Sequence, residues 1–214
     1  MLYMGVDLKT TTRQRSSLAV VDSDSRIVFM GSFSEDRELM EAIGEYRPHM
    51  IAIGSPLTLP TGLCCLEATC QCQMVYPENK GRQAELDLAR MGISCFFTNK
   101  KSIVTQLVYR AVALNQLLTD MGQQIIEVYP HASKLLLFGD KLPPKRNAKE
   151  CLGFLKDRLP NLVGGLDEYI IQMDSGSCES LINAHIALLH ASGETDVVGS
   201  DDEGLIALPR LLRI

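Results

Sequence analysis

Three carboxylates stand where apolar segments begin or end. Asp7 closes the run YMGVD, and Glu127 lies in IIEVYP just before Pro130. Glu179 opens the segment CESLINAHIALLHA, with Asn183 one helical turn later on the same face. A charge at the mouth of a buried strand costs several kcal/mol on the order of its desolvation unless something compensates it. One compensation is local, a strand-end Asp that accepts hydrogen bonds from the turn that follows. The other is a cation. Acids converging from separate elements repel one another unless cations lie among them, and hard carboxylate oxygens suit Mg²⁺ or Mn²⁺. Such ions activate water and stabilise the leaving oxygen of a phosphodiester. On that reading Asp7, Glu127 and Glu179 are at once the divalent-metal ligands and the catalytic residues.

Basic side chains near these acids are the candidates for holding phosphate. Lys9 follows Asp7 by two positions, Lys100 and Lys101 precede a long helical segment, and Arg110 lies on it. Lys141, Lys145, Arg146 and Lys149 form a second basic stretch in DKLPPKRNAKE. A solvated surface is the competing reading for each cluster. His131, directly after Pro130, has the chemistry to move a proton or to cap the next helix. His185 and His190 fall on an apolar helix and read as core or rim residues. No glycine-rich phosphate loop and no G-x-S-x-G elbow is present, which argues against P-loop and α/β-hydrolase chemistry.

Seven cysteines form the other conspicuous set, and four of them crowd into LCCLEATCQC. The spacing of Cys64, Cys65, Cys70 and Cys72, C-C-x4-C-x-C, matches no common zinc-site pattern. Three readings stand side by side: a structural metal (zinc or an iron–sulfur cluster), a disulfide, or inert packing. As a metal site or a disulfide, these residues are expected to fold the 57–98 segment into a compact flap beside the site, with Cys95 within reach; inert packing would remove that expectation. A polar loop of that length has no core of its own.

The elements that must position these groups follow a mixed order. Residues 3–7, 16–22 and 26–33 read as three strands in hairpin succession, the second pair joined at Ser23-Asp24-Ser25. SEDRELMEAIGEY reads as a helix and HMIAIGSP as a central strand. After the Cys-rich insertion, which contains the helical piece GRQAELDLARMG, come a helix over 102–121 and the strand QQIIEVYP. Helices over 131–138, 147–159 and 178–191 and a closing extended segment EGLIALP complete the chain. This is a ribonuclease H-like order: an α/β mixed sheet with helices on both faces, and sites beyond the carboxyl ends of the central strands. The 214 residues suit a single domain, 1–214, with 57–98 inserted. A net charge of −5 and a pI near 5.4 speak against nonspecific coating of nucleic acid, though not against a local basic groove. No stretch is long and apolar enough to span a bilayer and no signal core is present, so the expected compartment is the cytoplasm and no membrane partner is expected.

The combination GVDLKTT, IAIGSPLTLP, GRQAELDLARMGISCFFT, IIEVYPHAS, CESLINAHIALLHA and EGLIALP resembles the DUF429 family of predicted nucleases with a ribonuclease H-like fold. The likeness runs in order over nearly the whole chain. It implies a divalent-metal-dependent nuclease or phosphodiesterase acting on nucleic acid or a nucleotide, and it matches Arg82 and Glu85 to family positions. There they serve either as an ion pair bridging the insertion to the site, with a part in substrate binding, or as a solvated helix face. Two departures stand out. Gly54 replaces the acid of the family's I-D-A-P-L strand, and Asn183 replaces the second Asp of its D-x-x-x-D-A helix, while Glu179 keeps the first as an acid. These losses motivate an alternative, a non-catalytic nucleic-acid- or protein-binding scaffold on the same fold. Substrate identity and oligomeric state are not encoded in these motifs.

Overall fold

The structure, a computed structural model, describes residues 1–10, 14–144 and 146–210, so Lys145 of the second basic stretch lies outside the described residues. Strands β1 (Leu2–Asp7), β2 (Ser16–Asp22) and β3 (Ile27–Phe33) form an antiparallel meander. The β2–β3 turn closes locally: one carboxylate oxygen of Asp22 accepts the backbone N–H groups of Asp24 and Arg26 at 3.0 and 2.9 Å. Helix α1 (Asp36–Tyr46) is entered through a capping box between Glu35 and Glu38. It returns the chain to β4 (Met50–Ile53), which pairs parallel with β1.

After α2 (Gln83–Arg90) and α3 (Thr105–Asp120), β5 (Ile125–Val128) adds parallel to β4. Helices α4 (Pro130–Phe138), α5 (Ala148–Arg158) and α6 (Ser175–Ala191) follow, and the hairpin of β6 (Thr195–Ser200) and β7 (Gly204–Pro209) docks β7 parallel on β5. The sheet order is β3-β2-β1-β4-β5-β7-β6. This is the ribonuclease H-like arrangement expected from the order of elements, extended at one edge by the β6–β7 hairpin.

Strand alternation divides the core between two helical layers. Tyr3, Ala19, Val21 and Ala52 point to the face covered by α5 and α6, where Leu155, Leu181 and Ile182 are fully or almost fully buried. Met4, Val6, Leu18, Val20, Ile51 and Ile53 point the other way, against Leu39 and Ile43 of α1 and Leu114 and Leu118 of α3. Helix α6 lies unusually close to the sheet. A Cβ placed on Gly5 would come within 2.1 Å of the Ala184 nitrogen and the Ser180 oxygen, so only glycine lets the helix backbone rest on β1. That contact fixes the height of α6, and with it Glu179, over the end of β1.

The start of the last helix and one strand differ from the sequence reading. Helix α6 starts at Ser175, because Asp174 caps it by accepting the Ser177 N–H at 2.8 Å. Glu179 therefore sits a turn inside the helix and does not open it. Strand β6 was not anticipated: TDVVGS is polar, contains a glycine and is held mainly by its hairpin pairing with β7.

Candidate functional site

A cleft of about 260 Å³ opens beyond the carboxyl ends of β1 and β4 and the start of α4. Asp7 and Lys9 enter from β1, Gly54 from the end of β4, Pro130, His131 and Lys134 from α4, and Glu179 from α6. Each element end is set by ordinary local physics. Pro130 occupies the first turn of α4, where its missing N–H does no harm. The chain after β1 is held by Arg110 of α3, which donates to the Lys9 carbonyl at 2.5 Å and to Ser16 Oγ at 3.1 Å. The same guanidinium pairs with Asp36 at 2.5 Å. Arg110 thus positions Lys9 from behind.

The cleft holds two acids and two ammonium groups. Lys9 Nζ lies 2.7 Å from Asp7 Oδ2, and Lys134 Nζ donates to Glu179 at 2.7 Å. Asp7 is only 5% exposed. The Lys9 ammonium is the counter-ion of its Oδ2, and no other donor among the described residues reaches that oxygen. Burial, followed by the negative charge of Glu179, pushes the Asp7 carboxyl up from 3.8 to about 6, against the pull of Lys9 and Lys134. Lys134 was not singled out from sequence. Its signal was a lone cation in the otherwise apolar helix PHASKLLLF, one turn after Pro130.

Glu127 goes elsewhere. Its carboxylate is bidentate with Arg82, at 2.5 Å to Nη2 and 2.8 Å to Nη1, and accepts the Leu57 N–H at 2.8 Å. Arg82 Nε also donates to Glu85 at 3.1 Å, and Glu85 accepts from the Thr98 N–H and hydroxyl at 2.7 and 2.5 Å. Arg82, Glu85 and Glu127 are all buried. Burial works against the Arg82 charge, but Glu127 and Glu85 more than reverse it and hold the guanidinium above its usual range. The network ties the start of α2 and the strand β5 together. Arg82 and Glu85 form a buried ion pair at 3.1 Å, with their charged ends paired inside the protein and not on a solvated helix face. The structure brings Asp7 and Glu179 into one cleft and does not bring Glu127 to them. Among the described residues, the one group of three or more acidic, histidine or cysteine ligands with donor atoms within 4.8 Å of one another is the cysteine set.

Gly54 and Asn183 lie against each other. A Cβ on Gly54 would lie 2.8 Å from Asn183 Nδ2 and 2.8 Å from Pro130 Cγ. Asn183, fully buried, spends that amide on the Val6 carbonyl at 2.9 Å, while its Oδ1 has no partner. The space beside Gly54 is filled. An acid there should therefore not be accommodated: Gly54→Asp is expected to lower stability in urea by about 1–3 kcal/mol through overpacking. Gly54→Ala should show most of the same loss. A neutral Gly54→Ala would place the effect in charge and not in space.

Of the other phosphate candidates, Lys100 donates through Nζ to the Cys70 carbonyl at 2.5 Å. It lines, with Lys101 and Lys80, a larger cleft of about 580 Å³ whose wall includes Cys70 and Cys72. His131 stands at the rim of the Asp7 cleft, edge-on to Tyr129 at 6.0 Å. His185 is half-buried, with Nδ1 3.3 Å from Ser25 Oγ, and desolvation pulls it down to about 4.

No family model and no curated protein matches the chain. Among solved structures it is similar to RuvC of Thermus thermophilus, at 13% identity and a TM-score of 0.48, over 90% of this chain and 97% of that one. No helix among the described residues is long and apolar enough to cross a membrane.

Proposed function

We propose that the Asp7 cleft binds one divalent cation and that the protein is a phosphodiester hydrolase, a nuclease or nucleotide phosphodiesterase with a reduced ligand set. The observation that carries this reading is the meeting of Asp7 and Glu179, from separate elements, in one cleft. One of Asp7's buried oxygens there has only the Lys9 ammonium against it. The motif resemblance to the DUF429 family supports the same reading. Two hard oxygen donors suit Mg²⁺ or Mn²⁺ with water completing the shell. Glu127 is left out of the ligand set because Arg82 holds it.

When bound, such an ion supplies a polarised phosphoryl oxygen and a more acidic water. The rest falls to the chain. Lys9 and Lys134 neutralise the two acids and would turn to a phosphate once the acids have another counter-ion. Arg110 keeps Lys9 in place. His131 is placed at the rim to hold or release a proton at the leaving oxygen.

The filled Gly54 position favours a second reading, a nucleic-acid- or protein-binding scaffold that does not cut. Calorimetric titration with Mn²⁺, beside assays on an aryl phosphodiester, single-stranded DNA and RNA, separates the two. Binding and hydrolysis that both fall at least about tenfold in Asp7→Asn and Glu179→Gln are expected if the acids act together on the ion. Binding without turnover on any substrate supports the scaffold. Absence of any divalent binding at millimolar metal removes the hydrolase.

A further inference from the structure

Cys64, Cys65, Cys70 and Cys72 are free thiols whose four sulfurs lie within 4.8 Å of one another. None of them belongs to a hydrophobic cluster: the buried cores take in Cys95, Cys151 and Cys178 and leave these four out. Cys64 is exposed and the other three are half-buried. Packing therefore gives no reason for four sulfurs from a nine-residue span to face one another at the surface. We propose that they form a mononuclear tetrathiolate site for Zn²⁺ that fastens the 57–98 segment beside the larger basic cleft.

The distances suit one ion. Tetrahedral sulfurs about 2.3 Å from zinc lie roughly 3.8 Å apart along each edge, and Cys64 and Cys70 are 3.7 Å apart. A multi-iron cluster spreads its thiolates over separate irons, which a set this tight does not accommodate. The charge also suits the surroundings. Four thiolates around Zn²⁺ leave a net charge of about −2, and such sites are held by donors and cations outside the ligand shell. Lys100 already donates to the carbonyl of the ligand Cys70. Lys80 and Lys101 line the same wall as Cys70 and Cys72.

The segment needs such a fastening. At its near end Leu66 is buried and its N–H donates to Tyr109 Oη at 2.7 Å. At its far end Arg82 anchors α2. Between these anchors, residues 67–80 form no helix or strand. A zinc site at 64–72 would set the shape of that stretch and hence of the cleft lined by Gln71, Met74 and Lys80.

The full chain, purified reduced and without added metal, is expected to carry about one zinc by elemental analysis. After acid stripping and neutral refolding, Co²⁺ titration should develop the intense visible bands of a tetrahedral thiolate site and saturate at about one equivalent. Chelation should raise proteolytic cleavage within 57–98 at least about tenfold while the far-ultraviolet dichroism of the sheet and helices persists. Cys70→Ser/Cys72→Ser should lose the cobalt bands, whereas Cys151→Ser should keep them. Because the cobalt titration uses the unaltered chain, it decides even if the double variant misfolds. Four reactive thiols with no cobalt bands, a reductant-sensitive disulfide among the four, or iron in place of zinc would each overturn the proposal.

Discussion

Arg82→Met is expected to cost about 3–5 kcal/mol, a large share of the 5–15 kcal/mol that holds a typical domain folded. The guanidinium is fully buried and is the counter-ion of two buried carboxylates, Glu85 and Glu127. Methionine fills much of the same volume, so the loss reads the stranded charges and not a cavity. Some donors remain: Leu57 N–H for Glu127, and both donors of Thr98 for Glu85. They keep the penalty below that of two bare ions.

Arg82→Met leaves both acids in place without their counter-ion. The deficit should come mainly from these stranded charges. Arg82→Met/Glu127→Gln should recover part of it, since a neutral amide leaves no unpaired charge. Arg82→Lys should recover little, because one ammonium cannot reproduce a bidentate contact to Glu127 together with the Nε contact to Glu85. Urea denaturation checks all three variants. An Arg82→Met protein within about 1 kcal/mol of the parent at pH 8 would show that the network does not carry the joint between α2 and β5.

The same residues show what can be read from a chain and what cannot. The mixed sheet was legible because hairpin strands, helices and buried strands leave different periodicities, and residues 3–53 contain all three. Asp7 was legible as a carboxylate in need of compensation because it closes a strand of Tyr, Met, Gly and Val, and its counter-ion Lys9 lies two residues on. Glu127 carried the same sequence signal and met a different fate. Its partner, Arg82, is far along the chain in an inserted segment, and no periodicity reports such a pairing. The absence of an acid at Gly54 was visible, but the occupation of its space by Asn183 and Pro130 was not, since that depends on how closely α6 rests on Gly5. Lys134 was passed over because one lysine in an apolar helix reads as a rim residue until Glu179 is seen opposite it.

Asp7→Asn is expected to stabilise the fold at pH 8 by about 1–3 kcal/mol while removing the cation site. In the unfolded chain this carboxyl ionises near its ordinary 3.8, and in the fold burial and Glu179 hold the proton until about 6. Between those values the native state binds more protons than the unfolded state, so this group's contribution falls as pH rises. Below the ordinary value it contributes nothing unfavourable. Above about 6 the full penalty is in place, and roughly two pKa steps at 1.36 kcal/mol each set its upper size. Asparagine never ionises and escapes the penalty, though it leaves Lys9 without its partner, which trims the gain. The difference between the two proteins in urea should therefore be small near pH 4, grow through pH 5–6 and level off above pH 7. Other titrating groups largely cancel because both proteins carry them. Millimolar Mn²⁺ should close the gap at pH 8 by stabilising only the parent, through binding to the folded state. A parent more stable than Asp7→Asn at pH 8 without metal would mean that the Asp7–Lys9 pair more than repays its burial. The acid would then be a structural ion pair, and the cleft would lose its claim to a cation.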